Sequence, residues 1–477
     1  MRRNFIKGIV GIGGASLLLQ RKAAAEKKER PPNLIFVFAD QWRAQATGYA
    51  GDPNLKGKTP NLDRLAKESV NLVNAVSTMP VCTPYRASLL TGQISQNHGL
   101  FMNDAPLDPE ITSIAKVYKK AGYDTGYVGK WHIDGNGRSN YIPKERQQGF
   151  EYWKVLECTH NYNNSVYYEG NSPQKKMWQG YDAIAQTRDI QRYVTDHAQS
   201  EKPFMVFLSW GSPHAPYETA PQAYRDLFNP NDIKLRPNVP KEKEKKARQD
   251  LAGYYAHIAA LDDCLGDLLK TVDQTGLRDN TILVFTSDHG DMLYSHKQTK
   301  KQRPYDESVR IPFLLRYPAA CPAREIDMPI GSPDIMPTLL GLSGIKIPDS
   351  VDGRDYSEVL TGKAEPDNDA EVIECVVPFG QWKRKVGGRE FRGIRTRRYT
   401  YVRGLDGPWL LFDNQKDPHQ MNNLAKSPEA AALLQKLDAQ LSVKLSKRGD
   451  EFLPGNDYIE KWGYEVDASG TIPYRHK

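Results

Sequence analysis

The run Val81-Cys82-Thr83-Pro84-Tyr85-Arg86-Ala87-Ser88-Leu89-Leu90-Thr91-Gly92 spaces a thiol, a proline and an arginine two residues apart. Proline suits the first turn of a helix, where its missing N–H leaves no hydrogen bond unmade, so the pattern predicts a cysteine at a helix N-terminus. That position lowers a thiol pKa, and an arginine one turn on would hold an anion beside it. Two distant segments end an apolar run in an acid. Leu34-Ile35-Phe36-Val37-Phe38-Ala39-Asp40 leads into Gln41, and Thr281-Ile282-Leu283-Val284-Phe285-Thr286-Ser287-Asp288 leads into His289-Gly290-Asp291. Gly129-Lys130-Trp131-His132, Ser212-Pro213-His214-Ala215-Pro216 and Lys301 add histidines and lysines.

These residues need a frame that brings them together. The two apolar runs have the pattern of strands buried on both faces, and ligands of open α/β sheets gather at the carboxyl ends of such strands, where Asp40 and Asp288 can converge. Further strands are expected at residues 124–128, 204–209 and 312–317. Helices are expected at residues 62–70, 111–121 and 251–272. The alternation predicts an α/β domain over residues 31–365. Beyond Gly362, short strand-like pieces at residues 371–377, 391–396, 400–404 and 409–413 precede a helical stretch at 428–446. They predict a small C-terminal α+β subdomain over residues 366–477. The charged piece at residues 241–246 is expected to open a solvated helix.

The chain has 477 residues, with 65 Lys+Arg against 58 Asp+Glu for a formal +7. That length supports a large core and excludes a small disulfide scaffold, and the absence of any long apolar run excludes a polytopic membrane protein. Five of the charges, Arg2, Arg3, Lys7, Arg21 and Lys22, fall in the first 25 residues, which contain no acid. They flank a short, weakly apolar run that ends at Ala23-Ala24-Ala25, the layout of an export signal over residues 1–25. The opening Arg2-Arg3 resembles the twin-arginine pattern, and the expected location is periplasmic or secreted. No cysteine precedes Cys82, so a lipid anchor there is not expected. The other four, Cys158, Cys264, Cys321 and Cys375, allow at most one expected disulfide, because Cys264 lies in a helical stretch.

The Cys-x-Pro-x-Arg run resembles the modification motif of the type I, formylglycine-dependent sulfatases, which are arylsulfatase-like members of the alkaline phosphatase superfamily. The other elements follow in that family's order. The resemblance implies an alkaline phosphatase-like α/β fold, a large mixed sheet flanked by helices with a smaller C-terminal subdomain. It implies that Cys82 is oxidised to Cα-formylglycine by a maturing enzyme, and that Asp40, Gln41, residue 82, Asp288 and His289 bind a divalent cation. Oxygen ligands favour Ca²⁺, while the imidazole leaves Mg²⁺ or Mn²⁺ open. Lys130, Lys301, Arg86 and the cation would supply positive charge. A hydroxyl of the hydrated aldehyde would attack sulfur, His214 would protonate the departing oxygen, and His132 would take the proton from the second hydroxyl as sulfate leaves.

The expected substrate is a sulfate monoester, with the O-sulfate of a sulfated carbohydrate preferred and nucleic acid not expected. His160, Tyr162, Tyr167 and Trp178 are candidate sugar contacts beside Lys130 and His214. The strip from Trp382 to Gly404 carries nine basic residues against Glu390, a local +8. Its Arg384 is a candidate contact to further anionic groups. Phosphonate monoester and phosphodiester hydrolases of the same superfamily share the cysteine motif, and an inactive glycan-binding relative is a third reading. The pair Lys130 and Lys301 favours sulfate.

Overall fold

The computed structural model describes residues 30–473, so the expected export signal lies outside the described residues. β1 (Asn33–Asp40) is buried along its whole length. Its side chains alternate between two cores. Leu34, Phe36 and Phe38 enter one, and Ile35, Val37 and Ala39 enter the other, as the two-residue period of a strand requires. β2 (Asp124–Lys130), β3 (Phe204–Pro213), β4 (Thr281–Ser287) and β5 (Phe313–Arg316) complete the centre of the sheet, in the order β5-β4-β1-β3-β2. β1 to β4 run parallel and β5 runs antiparallel to β4. Shorter strands at both edges bring the mixed sheet to ten among the described residues.

Helices cover both faces. α1 (Cys82–Thr91) is buried at all ten positions, and its Tyr85 and Leu89 pack into the same core as Phe36 and Phe207. It ends at Gly92, whose φ of 67° is the left-handed conformation that glycine adopts without a steric penalty. On the other face, Ile190 of α2 (Asp182–His197) and Leu261 and Leu265 of α3 (Glu244–Gln274) pack on Ile35 and Val37. A short 3-10 turn at Lys241–Lys243 leads into α3.

The C-terminal part is a four-stranded antiparallel sheet, β6 (Ala370–Cys375), β7 (Phe391–Thr396), β8 (Tyr399–Gly404) and β9 (Gly407–Asp413), in sequential order. One face carries α4 (Ala431–Lys447) through Leu437, Leu441 and Leu445. The other packs Ile373, Phe391, Val402 and Phe412 against Val76 and Val309. All five cysteines are buried and unpaired.

Candidate active site

Strand register assembles the site. Ala39 pairs with Ser287, so Asp40 and Asp288 leave β1 and β4 on adjoining rungs. Phe38 pairs with Ser209 and, after an irregularity, Asp40 pairs with Pro213, so His214 emerges beside them. Gly129 pairs with the same Ser209, and Lys130 ends β2. Gly129 has φ 111°, and a Cβ there would lie 2.0 Å from the Ser209 carbonyl oxygen, so only glycine lets the two strands approach. The loops and α1 then bring Cys82 to the same carboxyl edge, the usual ligand position of a parallel sheet.

One donor atom each from Asp40, Cys82, Asp288 and His289 lies within 4.8 Å of the others, and all four residues are buried. Cys82 Sγ is 3.3 Å from His289 Nε2 and 3.8 Å from Asp40 Oδ1. His289 Nδ1 lies 2.9 Å from the Gly290 carbonyl, which can only accept, so Nδ1 carries the hydrogen and Nε2 turns its lone pair to the cluster. Gln41, at φ 70°, donates its backbone N–H to Asp288 Oδ1 and its amide to Asp291 Oδ2. Its Oε1 accepts from Lys301 Nζ at 2.9 Å. Two carboxylates and an outward imidazole lone pair, with an amide oxygen beside them, fit a divalent cation.

Fixed cations crowd the same space. Lys130 Nζ is 2.6 Å from Asp40 Oδ2 and 3.8 Å from Cys82 Sγ, and Lys301 Nζ is 3.1 Å from Cys82 Sγ. Burial alone would raise the Asp40 pKa, but Lys130, His214, Lys301 and Arg86 hold it well below the usual carboxylate range. Burial and Asp40 oppose the Cys82 thiolate, yet Lys130, Lys301 and His289 outweigh them and depress its pKa. Asp288 goes the other way, raised by burial and by the neighbouring Asp40.

Above the cluster is a cavity of about 130 Å³, lined by Cys82, Lys130, His132, His214, Lys301 and His160, with Asn103, Asp104, Arg138, Gln302 and Phe379 to Gln381 around them. Thr471, near the end of the described chain, closes one side. His214 Nδ1 lies 2.8 Å from the Ala215 carbonyl and carries the hydrogen, so Nε2 is its free atom. His160 stacks on the His214 ring at 4.6 Å. His132 Nε2 lies 3.0 Å from Asp104 Oδ1, and both residues sit at positive φ. Burial opposes charge on His132, but Cys158, Asp104 and Cys82 outweigh it and raise its pKa to about 10. A larger groove of about 550 Å³ between α2 and α3, lined by Arg188 and Asp267 among others, shares none of these residues.

Residues 32–345 match the Sulfatase family model, and residues 295–447 match the model of the N-sulphoglucosamine sulphohydrolase C-terminal region. The chain belongs to the sulfatase family. It is 46% identical over 460 residues to an ulvan-active sulfatase of Formosa agariphila, covering 94% of this chain and 88% of that one. An endo-4-O-sulfatase of Bacteroides thetaiotaomicron is 30% identical over 95% of this chain and 97% of its own. The solved structure of the sulfatase yidJ from Bacteroides fragilis superposes with a TM-score of 0.80 at 31% identity, covering 92% of this chain and 99% of that one. This sulfatase is accordingly a sulfuric ester hydrolase with the alkaline phosphatase-like architecture expected from its motifs.

Asp40, Gln41, Cys82, Lys130, His132, His160, His214, Asp288, His289 and Lys301 meet at this one place. The expected roles of four residues, Arg86, Tyr162, Tyr167 and Trp178, are corrected. Arg86 does not face the cavity. It lies beneath the cluster, donating to Asp40 Oδ2 and Asp288 Oδ2 at 3.2 Å each and to the Lys130 carbonyl and Ser209 Oγ at 2.8 Å each. It therefore fixes the carboxylates instead of meeting an ester. Tyr162 is fully buried, and its hydroxyl donates to the carbonyls of Gly211 and His214, bracing the His214 loop. Tyr167 and Trp178 stack on each other at 4.0 Å, outside the cavity wall. Arg384, expected to meet anionic groups beyond the sulfate site, lies outside the cavity with its guanidinium on Glu390. The sequence reading did not find Asp104, Arg138 or the wall from Phe379 to Gln381, because no spacing links them to the motifs they face.

Proposed function

We propose that this sulfatase hydrolyses O-sulfate esters of a sulfated carbohydrate at the cavity above Cys82. The observation that carries the reading is the convergence of Lys130 and Lys301 on Cys82 Sγ, at 3.8 and 3.1 Å, directly over the buried Asp40, Asp288 and His289 cluster. Asp40, Asp288 and His289, with Gln41, would hold a divalent cation, for which Ca²⁺ is the first choice. When present, the cation would supply Lewis acidity, and a formylglycine matured from Cys82 would supply a hydroxyl nucleophile. Lys130 and Lys301 stabilise negative charge on the sulfuryl oxygens, in a buried site where each charge counts for more than in water. His214 presents Nε2, the atom from which a departing alcohol oxygen would take its proton. His132, oriented by Asp104, borders residue 82 and stands there protonated because its pKa is raised to about 10, so it would take a hydroxyl proton only after giving up its own. His160, on the face of His214, borders the space that a sugar would occupy.

The carbohydrate substrate is supported by the ulvan-active and endo-4-O-sulfatase relatives. We place the reaction outside the cytoplasm on the strength of the export-like segment at residues 1–25, and take residues 31–365 and 366–477 as catalytic and C-terminal units. Intact-mass analysis of residue 82 in native material, paired with sulfate release from defined sulfated saccharides, tests the reading. An unmodified thiol with no sulfate release overturns it. Faster cleavage of p-nitrophenyl phosphonate esters than of any sulfate ester would move the assignment to phosphonate hydrolysis.

A further inference from the structure

The basic strip divides in two once its partners are traced. Arg392 lies on Asp450 and Glu374, Arg395 on Asp306, Arg397 near Asp327, Arg398 on Asp413 and Arg403 on Asp438. These five serve the fold. The other four, Lys383, Arg384, Lys385 and Arg389, share one short loop. The acids facing it are Glu390, which takes Arg384 and the backbone N–H of Gly455, and Asp467, whose pKa Lys383 helps to depress.

This loop is held in shape and joined to the cavity. The N–H groups of Val386 and Gly388 donate to the Lys383 carbonyl at 2.9 and 3.2 Å. A Cβ on Gly388 would fall 1.6 Å from the Trp382 carbonyl oxygen, so the loop closes backbone against backbone. Arg389 then lies over the Trp409 ring at 4.6 Å, Trp409 stacks on Trp382 at 6.4 Å, and Arg303 lies over Trp382 at 5.4 Å. Arg303 in turn donates to the carbonyl of Lys301. The residues just before Trp382, Gly380 and Gln381, line the cavity itself. An arginine already resting on an aromatic face loses less freedom when it meets an anion than a free one does.

We propose that the loop from Lys383 to Arg389 is a second anion-binding surface, which takes a carboxylate or sulfate on a sugar neighbouring the one whose ester is cleaved. The substrate is then a polyanionic chain, not a single sulfated unit. The inference rests on the sulfate-ester reading for the group inside the cavity. Its test is the triple variant Lys383→Ala, Lys385→Ala, Arg389→Ala, leaving Arg384 to pair Glu390. Calorimetry on a Cys82→Ala background, which cannot mature, measures binding of tetrasaccharides from ulvan, chondroitin sulfate and heparin without consuming them. The parent should bind at least one of them. The triple change should weaken that binding by about 10- to 100-fold and flatten its salt dependence. In the maturable protein, the loss of kcat/KM on that tetrasaccharide should exceed the loss on p-nitrophenyl sulfate by about tenfold. Equal losses on both substrates, an unchanged affinity, or a parent that binds none of the three overturns the proposal. Binding through the loop without sulfate release from the same tetrasaccharide would fault the cleavage reading and leave the surface standing. An unchanged melting temperature for the triple variant excludes misfolding as the cause.

Discussion

At the carboxyl ends of β1, β2 and β4, two carboxylates, two lysines and Arg86 share one buried volume, whereas along β7 and β8 each arginine meets its own acid. The first arrangement leaves charges that are only partly satisfied by one another. Asp288 is pushed up while Asp40 is held down, a split that follows from two acids in one site. The second arrangement is closed. Arg392 is fully buried, with Asp450 Oδ2 at 2.5 Å and Glu374 at 3.5 Å, and offers nothing to a ligand. Local charge density therefore says little about function until the partners are known. What matters is whether several charges face one cavity.

The contrast can be broken from either side. Asp288→Ala removes one wall of the shared site, taking from Arg86 one of its two carboxylates and from the Gln41 backbone N–H its acceptor. It should lower kcat for sulfate release at least about 10³-fold and abolish retention of a divalent ion through gel filtration. Arg392→Ala leaves Asp450 and Glu374 buried without their cation and should cost about 3–5 kcal/mol in denaturant unfolding. The corresponding cost at the exposed Arg389 should be below about 0.5 kcal/mol. Comparable costs at the two positions would show that the strip is not divided.

A subtler effect is expected at Glu157, buried behind His132, where it accepts from the backbone N–H groups of Asp134 and Gly135. Burial, aided by Asp134, lifts its pKa to about 7 from an ordinary 4.5. Between those values the folded protein keeps a proton that the unfolded chain has lost, so stability falls as pH rises from about 4.5 to about 7 and levels off above. Glu157→Gln should remove about 2–3 kcal/mol of that decline, measured as the difference in unfolding free energy between pH 5 and pH 8. An unaltered pH slope would show that Glu157 stays ionised throughout.

Much of the frame was legible in the sequence for a definite reason. Strands buried on both faces have unbroken apolar runs, so β1 and β4 announced themselves, and each ended in an acid where ligands gather. Cys82 at a helix start followed from Pro84 two residues on. The errors came from side chains whose type suits two tasks. Arg86, Tyr162 and Trp178 have the chemistry of binding residues, and each is spent inside the protein. Asp104 has the opposite history. It lies in an unremarkable loop, and only the fold sets it against His132.

The sequence by itself determined the strands and the cysteine-bearing helix, because these depend on short-range pattern, while the residue set for an anionic ester followed from the resemblance of its motifs to the sulfatases. Tertiary structure alone decided which of them share a cavity. Strand register placed Asp40 beside Asp288, a glycine let β2 approach β3 closely enough to bring in Lys130, and the C-terminal part supplied Gly380, Gln381 and Thr471 to the cavity wall. It also decided that most of the basic strip is structural, since a salt bridge is set by distance in space, which sequence separation does not record.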